Sequence, residues 1–264
     1  MTLITLMDDV AGELTYRVFN SASKPTHVGF TVNLNIRRNG TSPEARIFFF
    51  SAAVVTVSGR KIVVECLLFD GMSGIQLMTA SIVFVFVPTA GIFLPSDIPE
   101  SSNVNAGSKL PALNNSATRY LSVEELGNLS QVMNFLPRGL IAHTSGWVGP
   151  QKGQFAVLLN FGKDMCGPPN HVHGGVLATV LNNASVFLFS SVTGATSHSA
   201  IVLERDISYR KGMPIESQNA FIDAAVESTS SDQIVIVSQL LRNTQLCTTL
   251  RTTFLLPKNR SSKL

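Results

Sequence analysis

Charge is scarce in this chain. Only 14% of its 264 residues are Asp, Glu, Lys or Arg, well below the usual quarter. The formal net charge is +3, and no basic run carries interleaved aromatics, which argues against a nucleic-acid partner. Cysteine is scarce too. Cys66, Cys166 and Cys247 lie far apart with no C-x-x-C spacing. That excludes a disulfide framework and a zinc knuckle, and reads as reduced thiols. No apolar run approaches the roughly 20 residues needed to cross a bilayer. The longest, such as 82–87, have strand length, so no membrane span is expected. Asp8, Asp9 and Glu13 interrupt the N-terminal apolar pattern, and no basic stretch precedes it, unlike a signal peptide. His171 and His173 have strand spacing but no third ligand nearby, so no metal site is expected.

What the chain has is apolar material, 45% of its residues, enough for a large core. Residues 2–18 place Leu3, Leu6, Met7, Val10, Leu14 and Val18 at helical spacing. Alternating strands are expected near 27–37, 45–57, 60–70 and 75–87, with turns at 57–60 and 70–74. Residues 88–118 change character: Pro88, Pro95, Pro99 and Pro111 among many Ser and Asn mark a linker. Ser122-Val-Glu-Glu125 starts a short helix by a capping box, through about Phe135. Strands near 140–148 and 154–161 lead to a helix over 174–192, apolar nearly all round and so buried. Four more strands follow, near 199–210, 215–228, 232–243 and 246–256.

Two patterns carry function. The first is His173-Gly174-Gly175 running directly into Val-Leu-Ala-Thr-Val-Leu. Paired glycines allow close approach, and a helix starting there aims free N–H groups at a negative or developing-negative oxygen. The second is an internal repeat. Thr5-Leu-Met-Asp8-Asp9 sets on Thr179-Val-Leu-Asn182-Asn183, and each helix is followed by a strand ending in a basic pair, Arg37-Arg38 and Arg210-Lys211.

With its H-G-G turn after Gly167-Pro-Pro169, the second helix resembles the central helix of the hotdog-fold thioesterases of the phenylacetate-pathway (PaaI-type) group. Two copies in one chain resemble a double hotdog. The implied fold class is α+β: two hotdogs, each an antiparallel sheet wrapped around a helix, fused as a pseudo-dimer. The implied boundaries are 1–88 for a first repeat, 89–118 for the linker, 119–257 for the second repeat and 258–264 for a tail. The first repeat lacks its opening strand and H-G-G, either lost or upstream of a misassigned start. The missing strand should be an edge strand, leaving an edge that the linker is expected to cover.

The resemblance implies an acyl-CoA thioesterase without a cofactor, coenzyme A being part of the substrate. In that family the glycine N–H after the histidine holds the thioester oxygen, and a carboxylate on the partner's helix acts as base or nucleophile. A hydroxyl on the partner's next strand orients water. The second repeat has Asn182 and Val202 at the acid and hydroxyl positions, and an amide cannot serve as base. The first repeat has Asp8 and Thr31 there. One hybrid site is therefore expected, with Asp8, Thr31, His173, Gly174 and Gly175 as catalytic group. Asn170, His171, Arg37, Arg38, Arg210 and Lys211 are candidates for holding substrate, guanidinium groups being good phosphate ligands. The bland readings are a solvated acid, a turn histidine and a basic rim. Two rivals stand: a non-catalytic acyl-CoA-binding or scaffold protein, favoured by Asn182, and an enoyl-CoA hydratase, whose Asp and His pair neither helix carries. The terminal Ser262-Lys263-Leu264 reads as an address for the peroxisomal import receptor, in peroxisomes or glycosomes. A homodimer of double hotdogs is a further expectation.

Overall fold

The computed structural model describes residues 3–20, 27–40, 47–88, 119–120, 141–148, 154–162, 165–167, 170–196, 199–215 and 220–256. The expected linker with its edge cover, the 122–135 helix and the Ser262-Lys263-Leu264 tail lie outside these residues, apart from Pro88, which ends a strand.

Two helices and eleven strands make up the described chain. Helix α1 (Leu3–Phe19) precedes β1 (His27–Arg38), β2 (Phe48–Ser58), β3 (Lys61–Asp70) and β4 (Gln76–Pro88). Short β5 (Arg119–Tyr120) precedes β6 (Ile141–Val148) and β7 (Gln154–Phe161). Helix α2 (Gly174–Thr193) precedes β8 (Ile201–Tyr209), β9 (Ala220–Thr229), β10 (Gln233–Arg242) and β11 (Gln245–Leu255). The strands form a single antiparallel sheet in the order β2-β3-β4-β1-β8-β11-β10-β9-β7-β6-β5. After each helix four strands follow with the same internal order, β2-β3-β4-β1 and β9-β10-β11-β8. The quartets meet where β1 pairs antiparallel with β8, from Asn33 opposite Ser208 to Arg37 opposite Glu204. Both central strands carry a bulge before this shared stretch, at Thr31/Asn33 against β4 and at Glu204/Val202 against β11. Matching irregularities put Thr31 and Val202 at equivalent places, the pairing expected from the sequence repeat.

One apolar cluster runs through both quartets. Met7, Leu34, Ile62, Ile82 and Phe86 join Leu181, Phe189, Ile207 and Phe254, and the Phe189 and Phe254 rings stack at 4.6 Å. Helix α1 buries one face on the sheet and packs on α2. Helix α2 is buried on most of its circumference, as its all-round apolar sequence requires. Its C-terminus is closed by Gly194 at φ 64°, whose N–H returns to the Ser190 carbonyl.

Helix α2 has the length and apolarity of a membrane span, which a reading of unbroken apolar runs misses because Asn182, Asn183 and Ser185 interrupt the run. In this fold 72% of its most apolar window is buried, so the core takes that surface. β9 is flanked outward by β7 and then β6, whereas β2 ends the sheet among the described residues. Its Phe48 and Phe49 are 53% and 61% exposed, where β9 has a strand beside it.

Candidate active site

The loop before α2 is held at both ends. Cys166 bridges Val172 and His171 bridges Pro214. His173 N–H donates to the Met165 carbonyl, and Val172 N–H to the Met213 carbonyl. The chain therefore enters α2 in a set direction. His173 is the N-cap, and its Nδ1 accepts the Gly175 N–H at 3.0 Å, a task usually given to Ser, Asp or Asn. Among the described residues nothing accepts the Gly174 N–H. The Gly174 carbonyl accepts from the Tyr209 hydroxyl at 2.9 Å, which ties the first turn of α2 to the end of β8.

Across from this turn stands Asp8 of α1, 2% exposed. Thr31 of β1 donates to Asp8 Oδ1 at 2.7 Å. Asp8 Oδ2 lies 3.7 Å from His173 Nδ1, and 3.3 Å from where a side chain on Gly174 would begin. Thr31 Oγ1 is 3.5 Å from that same point. A Cβ at this position would narrow the space between the carboxylate and the helix end. Burial pushes the Asp8 carboxyl above the ordinary aspartate range; His173 and the Thr31 hydrogen bond pull against it, Asp9 adds to it, and the Gly175 N–H opposes it. Burial, then Asp8, raises the Tyr209 phenol further and the Cys66 thiol to about 12, so both stay protonated at neutral pH.

A cavity of about 530 Å³ opens on this cluster. One side is apolar and aromatic, with Gly12, Tyr16, Val28, Phe84 and Phe86. The other carries His171, Arg210 and Lys211, the two cations being exposed at the rim. The His171 ring stands edge-on to Phe30 at 6.0 Å.

Asp8, Thr31, His173, Gly174 and Gly175 thus meet at one point, with His171, Arg210 and Lys211 nearby. Arg37 and Arg38 do not line the cavity. β1 carries them away from Val28 and Thr31 along its length. There Arg37 pairs with Glu204 at 3.0 Å and Arg38 donates to the Gly40 carbonyl. Asn170 also stays out of the lining; it turns the loop at φ 61°, and its carbonyl accepts from Ile215 N–H. Sequence reasoning missed Tyr209, whose only signal was its place at the end of the strand after the helix. It also assigned Asp9 no role, whereas Asp9 Oδ1 lies 3.0 Å from His173 Nε2.

The equivalent position on α2 is differently built. Asn182 Oδ1 accepts from Arg205 Nε at 2.7 Å. Burial, then the neighbouring Arg38, draws the Arg205 guanidinium down to about 10, which leaves it charged at neutral pH. A carboxylate placed at 182 would meet that cation and become an ion pair rather than a base. Asn182→Asp should therefore add no turnover, and the Asp8→Asn/Asn182→Asp double variant should match Asp8→Asn alone. An activity regained in the double variant would mean that a second competent site exists.

No protein-family model matches the chain, and no curated protein sequence matches it. Solved structures do. The tesB protein of Mycobacterium avium subs. paratuberculosis aligns over 95% of this chain and 86% of its own, at 9% identity and TM-score 0.57. The 12:0-ACP thioesterase of Umbellularia californica aligns over 96% of this chain and 87% of its own, at 11% identity and TM-score 0.57. At such identities the likeness speaks for the fold, and it extends over almost the whole chain: an antiparallel sheet with helices packed against it, the hotdog fold of these thioesterase structures.

Proposed function

We propose that this chain is an acyl-CoA thioesterase built as a fused pair of hotdogs, with one working site shared between the two repeats. The observation that carries this reading is the buried Asp8 carboxylate of the first repeat, tied to Thr31 and set against the Gly174 end of α2 from the second. The thioester oxygen would sit on the unused Gly174 N–H, where the helix end favours developing negative charge. Tyr209 supports that end through the Gly174 carbonyl. Asp8 would either deprotonate water or attack the thioester carbon itself, with Thr31 orienting the carboxylate and the water. The acyl chain would lie along Gly12, Phe84 and Phe86, and the coenzyme A phosphates near Arg210 and Lys211. No cofactor is required, and the tail would deliver the protein to peroxisomes or glycosomes.

The direct test is release of free thiol from acyl-CoA esters of graded chain length by the purified protein. Turnover supports the reading; tight binding of acyl-CoA with no thiol released would favour the non-catalytic binding protein, for which the Asn182–Arg205 pair in the other repeat speaks. Arg210→Ala and Lys211→Ala should each raise KM for acyl-CoA by up to about 5-fold, because an exposed cation contributes roughly 1 kcal/mol at most. Neither change should alter kcat, and neither should matter for an acyl-pantetheine substrate lacking the nucleotide. Equal losses on both substrates would remove the phosphate role.

A further inference from the structure

We propose that Asp9 is a positioning residue that holds the His173 ring in its Nε2–H form, so that His173 caps α2 and stays off the Asp8 carboxylate. The inference rests on the thioesterase reading above, but its structural half can be tested without any turnover. The partners of the ring define its protons. Nδ1 accepts the Gly175 N–H at 3.0 Å and so carries no hydrogen there. Nε2 then carries the proton and faces Asp9 Oδ1, 3.0 Å away. Asp8 Oδ2 lies 3.7 Å from Nδ1, beyond hydrogen-bond reach.

The opposite tautomer would undo this arrangement. A proton on Nδ1 would confront the Gly175 N–H, two donors face to face. The ring would turn toward Asp8 Oδ2, 3.7 Å away, and donate to the carboxylate that has to act as base. The cap on α2 would be lost in the same movement, and with it the set direction of the Gly174 N–H. Asp9 prevents both by supplying an acceptor on the far side of the ring. Its neighbour on the helix cannot do so: successive helical residues point about 100° apart. Asp8 is 2% exposed, while the Asp9 side chain, 41% exposed, reaches the ring at the cavity's lip. The two adjacent acids thus act on one imidazole from α1 across to α2, with different tasks.

The test uses the full chain and three proteins: wild type, Asp9→Ala and Asp9→Asn. The ¹⁵N shifts of His173 report which nitrogen is protonated. Wild type should show the Nε2–H form. Asp9→Ala should move the population toward Nδ1–H and lower kcat between about 10- and 100-fold, the scale of a misaligned catalytic group, with KM nearly unchanged. Asp9→Asn should keep the Nε2–H form and most of kcat, because its amide oxygen still accepts from Nε2. A wild-type ring protonated at Nδ1, or an Asp9→Ala ring that keeps the wild-type form, would overturn the proposal whatever kcat does. Wild-type protein without turnover would defeat the thioesterase reading instead, and the ¹⁵N shifts would still decide the role of Asp9.

Discussion

Asp8→Asn should abolish thioester hydrolysis and at the same time make the protein more stable. The loss follows from chemistry. The amide keeps the shape and can still accept from Thr31, but it has no basic lone pair, and loss of an essential base costs at least about 100-fold, or roughly 2.7 kcal/mol. The gain follows from linkage. Burial raises the folded-state pKa of Asp8 above its ordinary value of 3.8. The folded protein therefore holds that proton more tightly than the unfolded chain does. The ionised carboxylate costs stability as pH rises above 3.8, and the cost is complete only above the raised value. Asparagine carries no such cost. Thermal melts at pH 7 should show the variant above wild type, with the difference shrinking as pH falls toward 3.8. The acid limb of wild-type kcat/KM should lie above 3.8 for the same reason. A variant that keeps its activity, or melts lower at pH 7 than wild type, would contradict both roles given to Asp8.

Gly174→Ala is the second large effect. The added methyl would begin 3.3 Å from Asp8 Oδ2 and 3.5 Å from Thr31 Oγ1. The space it takes is where a thioester carbon and a water have to fit, between groups that act at contacts near 3 Å. The helix itself should tolerate alanine well, since alanine is the better helix former. We expect kcat/KM to fall on the order of 100-fold while Tm stays within a few degrees of wild type, measured by thiol release and by melting. A fully active Gly174→Ala would show that no substrate passes between Asp8 and the α2 terminus.

Much of this fold was legible because each strand alternates and each turn carries its own punctuation. Asp70, for example, accepts from the N–H groups of Met72 and Ser73 in the turn that its position suggested. The meeting of Asp8 with the H-G-G turn was legible only through the repeat together with the thioesterase resemblance: no local pattern near Asp8 points to residue 174. What stayed hidden depends on register and reach. Arg37-Arg38 and Arg210-Lys211 look alike as basic pairs at strand ends, yet only the second pair lines the cavity. Arg205 contacts Asn182 from the middle of β8, and Asp9 reaches from α1 to His173 at the start of α2. Tyr209 closes on a backbone carbonyl 35 residues upstream, which no spacing rule signals.

A single site composed from both repeats is tested most directly by a crystal structure of Asp8→Asn soaked with an acyl-CoA. One ligand per chain is expected, its thioester oxygen about 3 Å from the Gly174 nitrogen and its carbon facing residue 8. A thioester bound beside Asn182 and Arg205, or one lying away from the α2 terminus altogether, would contradict the shared site.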